Sequence, residues 1–212
     1  MELISVNVGG PRDVAWRGRT VRTSIWKTPV AGRVRVARLN LEGDRQSDLS
    51  VHGGPDKAVY AYPAEHYPFW RRELPEVDFP WGAFGENLTT SGLREDEVCV
   101  GDHVRCGTVE LLVTQPRLPC YKLGIRADRA DMVKRFQQSG RTGFYLAVLR
   151  EGDLAAGDAL ELVATGEDRV SVADVTRAFV GATVDPLLLR RLAVLPALPD
   201  GWREHFRSAL AR

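Results

Sequence analysis

The chain changes character once, at Ala164-Thr165-Gly166-Glu167-Asp168. Ahead of that point apolar residues come in short runs of two-residue period, cut by glycine and proline, which is how strands are written. Behind it only helical spacing is readable. Glu2–Val8 alternates and is ended by Gly9-Gly10-Pro11, and residues 20–27 predict a second strand closed by Thr28-Pro29. Residues 30–41 set valines against arginines in the clearest alternation of the chain, as for a strand with one solvated face. Further strands are expected at 58–62, 109–114, 142–149 and 159–163. Among them lie two helices: 64–74, whose aromatic stripe is read as core, and 128–139, with Gly140 as its C-cap. After the break, Ser171 caps 172–179, Asp185-Pro186 opens 187–195, and Pro199-Asp200 opens 201–210. Many short strands and few helices predict a mainly β fold, a closed or nearly closed barrel. The three terminal helices are too short to stand alone and must pack on something. The expected division is 1–27 as strands against the barrel, 28–164 as the barrel, and 168–212 as a three-helix domain.

Within the strand region, Gln115-Pro116-Arg117-Leu118-Pro119-Cys120-Tyr121-Lys122-Leu123 follows a strand and carries two prolines. Proline excludes a helix interior and a central strand position, so Cys120 is placed in a stiff, extended loop. Arg117 and Lys122 flank it. Cationic neighbours favour the thiolate, the form that attacks electrophiles and ligates metals.

The charge balance narrows the partners. A formal net charge of +1 does not mark a nucleic-acid surface, which calls for a basic excess. No apolar run approaches a membrane span, and the first residues lack a basic, cleavable leader, so a soluble cytoplasmic protein with no membrane contact is expected. Three cysteines, Cys99, Cys106 and Cys120, are too few and too irregular for a disulfide framework. Cys99, His103 and Cys106 are zinc-ligand types, but their spacing lacks the paired knuckle of structural zinc, and the glycines among them read as turns.

A long polar segment, 42–57, holds His52, Gly53 and Gly54, and loops of this length inside a compact domain are usually functional. Paired glycines let backbone N–H groups approach an anion, although the phosphate-loop spacing is absent. Lys27 falls at an expected strand end and Asn87 in a glycine-bounded loop, positions open to either a structural or a ligand-binding role.

Taken together, Gly43-Asp44-x-Gln46-x-Asp48, His52-Gly53-Gly54-x-Asp56-Lys57-Ala58-Val59-Tyr60, Phe84-Gly85-Glu86-Asn87-Leu88, Gly101-Asp102 and the Cys120 stretch resemble the MOSC domain. In particular the chain is similar to the YiiM-like family, whose members add a C-terminal three-helix domain, and the resemblance spans nearly its whole length. It implies a MOSC β-barrel and a molybdenum cofactor, Mo-molybdopterin. In related MOSC enzymes, such as the mitochondrial amidoxime-reducing component, a cysteine of this loop ligates molybdenum, and Cys120 matches it; a soft thiolate suits such a metal. The resemblance further implies an oxidoreductase acting on N-hydroxylated bases such as 6-N-hydroxylaminopurine. Lys27, Arg117 and Arg141 would then hold the pterin phosphate, Gly53 and Gly54 would offer backbone donors, and His52 and Asn87 would bond the cofactor or substrate. No dinucleotide fingerprint is present, so electrons are expected from a separate flavoprotein or ferredoxin-type donor, with the three-helix tail as a candidate docking surface. A second reading stays open, in which Cys120 carries a persulfide in a sulfur-carrier or cofactor-handling protein. A third is a barrel that binds a small anion and does no chemistry.

Overall fold

The computed structural model describes residues 1–48, 53–181 and 185–211. The chain opens with strand β1 (Glu2–Val8), then the hairpin β2 (Arg12–Trp16) and β3 (Arg19–Thr23), and short β4 (Thr28–Pro29). There follow β5 (Val34–Ala37), β6 (Asn40–Leu41), β7 (Val59–Pro63), helix α1 (Tyr67–Glu73), β8 (Leu88–Ser91), β9 (His103–Cys106) and β10 (Val109–Pro116). Helices α2 (Tyr121–Arg126) and α3 (Met132–Ser139) lead to β11 (Phe144–Arg150), β12 (Gly152–Leu154) and β13 (Leu160–Ala164), and α4 (Val172–Phe179), α5 (Pro186–Leu192) and α6 (Asp200–Leu210) complete it.

Sheet pairing dominates. The large sheet runs β13-β9-β10-β11-β7-β8-β1-β4, a smaller one runs β12-β5-β6, and β2-β3 pair only with each other. Every pair is antiparallel except β7 with β8, whose parallel register needs the long crossover that α1 and the following loop supply. An isolated bridge, Glu2 with Ala159, joins the first strand to the residue ahead of β13. Backbone bonds from Leu3 N to Asp158 O (3.0 Å) and from Leu160 N to Met1 O (3.0 Å) flank that bridge.

Local sequence accounts for most element ends. Arg17 and Gly18 take positive φ in the β2-β3 turn, so residues 20–27 do not form one strand: β3 ends at Thr23, whose Oγ1 accepts the Ile25 N–H (3.2 Å). The alternation of 30–41 is likewise folded back on itself as β5 and β6, keeping Val34 and Val36 inside and Arg35 outside. Pro116 corrects the expectation that proline excludes a central strand. It is the last residue of β10, and β9 covers only Val109 to Leu112, so the strand has outrun that neighbour where the N–H is missing. Beyond it the expected extended stretch is cut short, because Tyr121, Lys122 and Leu123 already belong to α2. Helix α3 starts later than expected, behind the left-handed residue Asp128, and ends on left-handed Gly140.

Two cores result. One lines the sheet and continues into the C-terminal helices, with Val104, Leu111 and Val113 in the same cluster as Val172, Leu192 and Phe206. The other is aromatic and joins Tyr60, Tyr62, Tyr67, Trp70, Phe84 and Phe136 under α1, α2 and α3. Buried carboxylates are held by donors: Glu86 accepts from Tyr67 Oη, Gly82 N (2.9 Å), Phe84 N (3.1 Å) and Thr89 Oγ1 (3.0 Å). Among the described residues no helix is long and apolar enough to cross a membrane.

Candidate cofactor site

Strand β10 delivers the Cys120 loop to the mouth of a cleft. Arg117 N donates to Gly143 O (3.2 Å) where β10 leaves β11, the backbone then runs free of the ladder, and Cys120 is extended (φ −105°, ψ 168°) immediately before α2. The cleft is open at its mouth, and its about 630 Å³ of atom-free space includes solvent outside the walls. Its walls come from Thr23 to Lys27, Asp44 to Ser47, Gly53, Lys57, Tyr60, Gly85, Asn87, the Cys120 loop, Lys122 and Tyr145. Chain segments far apart in sequence thus meet at a half-buried thiol.

Among the described residues, five cations face this space, Lys27, Arg45, Lys57, Arg117 and Lys122, against the single carboxylate of Asp44. That carboxylate is already taken. Both its oxygens receive Lys27 Nζ (2.5 Å each), and it also accepts from Gly9 N (2.9 Å) and Asn87 Nδ2 (3.0 Å). Burial lowers the Lys27 pKa, while Asp44 and Glu86 pull it upward. The Lys27 segment has no freedom to move: a Cβ on Gly9 would stand 2.2 Å from Trp26 O, and one on Gly82 would stand 2.7 Å from Lys27 O. Lys122 Nζ bonds Ser47 Oγ (3.1 Å), tying α2 to the opposite wall.

Arg117 stands apart from these pairs. It is 5% exposed, its Cζ lies 5.2 Å from the Tyr60 ring centroid and 5.1 Å from that of Phe136, and its Nη1 is buried with no hydrogen-bond partner among the described residues. Among the described residues no carboxylate pairs with it. Burial works against its charge, but Tyr60, Tyr145 and Cys120 around it hold its pKa above the ordinary arginine value. A buried guanidinium with an open donor, in a cleft of surplus positive charge beside a thiol, has the chemistry that suits an anion.

The residues singled out from sequence are distributed unevenly. Cys120, Lys27, Gly53, Asn87 and Arg117 are brought together in the cleft. Arg141 is not: its guanidinium stacks on Phe69 at 3.9 Å, donates to Ser139 O (3.1 Å), and lines a different groove with His66 and Glu95. Gly54 lines the neighbouring cleft with Phe179 and Trp202. Asn87 is also tied into the fold, its Oδ1 accepting Tyr60 N (3.1 Å) and its Nδ2 donating to Asp44 Oδ2 (3.0 Å) and Asn7 O (3.4 Å). His52 lies outside the described residues. Asp44 and Tyr145 also line the cleft and were given no individual role from sequence: Asp44 entered only as part of the resemblance motif, and Tyr145 reads as one more core residue of an apolar strand. Two further thiols are remote. Burial raises the pKa of Cys99, with Asp102 adding to it, and pushes that of Cys106 up to about 12. No metal-binding group of three or more His, Cys, Asp or Glu side chains forms among the described residues.

Comparison with known proteins agrees with this layout. The MOSC domain matches residues 48–161, and the YiiM-like 3-alpha helix domain matches 170–212. Protein YiiM of Escherichia coli is 40% identical over 85% of this chain and 81% of its own. A protein named Reductase from Gibberella moniliformis is 35% identical over 98% of this chain, which spans 38% of that longer protein. The crystal structure of YiiM from Geobacillus stearothermophilus superposes with a TM-score of 0.82 at 38% identity, covering 99% of this chain and 98% of that one. With both domains matched in order and the whole fold shared, the chain belongs to the MOSC-domain proteins of the YiiM-like family.

Proposed function

We propose that this protein is a molybdenum-cofactor-dependent reductase of N-hydroxylated compounds, 6-N-hydroxylaminopurine among them. The observation that carries this reading is Arg117, a buried cation with an unused donor beside Cys120 in a cleft whose one carboxylate is already paired. The donor set fits the group. A thiol is the soft ligand that molybdenum takes, and surplus cations suit an anionic pterin phosphate. When bound, the cofactor supplies the two-electron removal of the substrate's hydroxyl oxygen.

The chain's own residues would do the rest. Cys120 would ligate the metal, Arg117 would hold a phosphate or pterin oxygen with Nη1, and Arg45, Lys57 and Lys122 would add positive field. Lys27 would contribute through Asp44 rather than directly, since that pair is closed. Gly53 would offer its backbone N–H, and Tyr60 and Tyr145 would form the wall that keeps water from Arg117. The electrons would come from a separate flavoprotein or ferredoxin-type donor, in the cytoplasm. Residues 28–164 would form the MOSC unit as a barrel closed through the Glu2 to Ala159 bridge, with 1–27 packed against it and 168–212 as the helical domain.

The test is metal and pterin per chain, for wild type and Cys120→Ser, in protein purified from a host that makes the cofactor. Near-stoichiometric molybdenum that disappears in the variant is the expected result. Metal absent from both, together with unreduced hydroxylaminopurine, refutes the reading. A persulfide on Cys120 by mass spectrometry would favour a sulfur carrier instead.

A further inference from the structure

Among the described residues the β2-β3 hairpin pairs with no strand of either larger sheet. It carries Arg12, Arg17, Arg19 and Arg22 against one acid, Asp13, in a chain whose formal net charge is +1. All four arginines are exposed. Only Arg22 has a carboxylate, Asp13 at 3.3 Å; among the described residues Arg12, Arg17 and Arg19 have none. Arg12 instead lies over the Trp26 ring at 3.8 Å and Arg17 over Trp16 at 5.6 Å. Gathering like charges on one hairpin costs self-repulsion, which the two ring contacts offset only in part.

The hairpin is also placed at the site. Its second strand runs straight into Thr23, Ser24, Ile25 and Lys27, which form a wall of the Cys120 cleft. The helix that Cys120 precedes ends at Arg126, whose Nε is buried without a hydrogen-bond partner. Burial lowers the Arg126 pKa; Asp78 opposes this and the like charge of Arg12 adds to it, so Arg12 and Arg126 are electrostatic neighbours. Arg12, over the Trp26 ring between the wall residues Ile25 and Lys27, thus brings the charge of the hairpin next to a wall of the cleft.

We propose that the β2-β3 hairpin is the docking arm for an acidic, flavin-carrying electron-donor protein. The identity of that partner rests on the reductase reading above. Converting R–NHOH to R–NH2 and water consumes two electrons and two protons, and a flavin hydroquinone releases both pairs as it becomes oxidised flavin. Electron-transfer encounters use small, charged, short-lived interfaces, in which complementary charge sets the approach and its salt dependence. A cationic arm beside the redox pocket meets that need for an acidic partner.

The test compares the cofactor-loaded wild type with Arg17→Glu/Arg19→Glu, and with Arg17→Gln/Arg19→Gln as a milder variant. Binding to an acidic flavodoxin is titrated at low and at physiological ionic strength, and hydroxylaminopurine reduction is driven separately by reduced methyl viologen. Wild type should bind flavodoxin more tightly at low salt. The charge reversal should weaken low-salt binding by at least about tenfold and flatten its salt dependence. The glutamine variant should fall between, and viologen-driven reduction should be unchanged in all three. Equal binding by wild type and charge reversal overturns the docking arm, as does wild-type preference for a single-stranded oligonucleotide over flavodoxin. Absence of viologen-driven reduction in the wild type refutes the reductase reading instead, while the titration still decides the arm.

Discussion

Arg117 shows how a single side chain can be a cost to the fold and a requirement of the site. Its guanidinium is buried with Nη1 unpaired, so replacing it by an apolar residue of similar length removes a desolvated charge. Arg117→Met should raise the unfolding free energy of cofactor-free protein by about 1 kcal/mol in urea titration while lowering bound pterin about tenfold or more. Cys106 gives a pH signature. Its folded pKa of about 12 lies above the ordinary thiol value of 9.0, so above pH 9 the unfolded chain releases a proton that the fold retains. Wild-type stability should therefore fall, relative to Cys106→Ala, by about 1.4 kcal/mol per pH unit as pH rises from 9 toward 12, read from denaturant midpoints at each pH. Cys120 was legible from sequence because its frame is local: two prolines and two flanking cations. The Lys27 and Asp44 pair was not, because nothing in either neighbourhood says that residues 17 apart will share a buried ion pair.

Among the elements, α6 and β10 are joined by a buried hydrogen bond across 87 residues, from Trp202 Nε1 to Gln115 Oε1. Gln115 also donates to Asp56 O (3.3 Å), so the helix reaches both loops that shape the cleft. Trp202→Phe keeps the ring and orphans that amide oxygen. It should cost about 1–3 kcal/mol in urea unfolding and change the alkylation rate of Cys120 by iodoacetamide, although Trp202 does not line the Cys120 cleft. Strand β11 begins at a second tight point, Gly143, whose φ is +63° and where a Cβ would stand 2.4 Å from Ala61 O. Gly143→Ala should break the Phe144 to Ala61 pairing and leave the protein largely insoluble on expression, measured as the soluble fraction. Strand existence followed from periodicity, as in Glu2–Val8, whereas the folding back of residues 30–41 and the place of Pro116 at the one-sided end of β10 depend on which neighbour each strand meets. Local pattern does not encode that choice.

In the whole molecule the helical tail is not an appendage to a finished sheet domain. Leu192, Trp202 and Phe206 share one core with Val104, Leu111 and Val113, and Cys99 bridges Ser171. The full chain should unfold in one calorimetric transition, and residues 1–168 alone should lose near-ultraviolet circular dichroism and bind a hydrophobic dye. The bridge between Glu2 and Ala159 has a consequence for synthesis. Glu2 is translated long before Ala159, its bridge partner almost three-quarters of the chain later. At translation speeds of roughly 5–20 residues per second, the Glu2 end of β1 waits about eight seconds or more for that partner, long enough for a nascent-chain chaperone to cover it meanwhile.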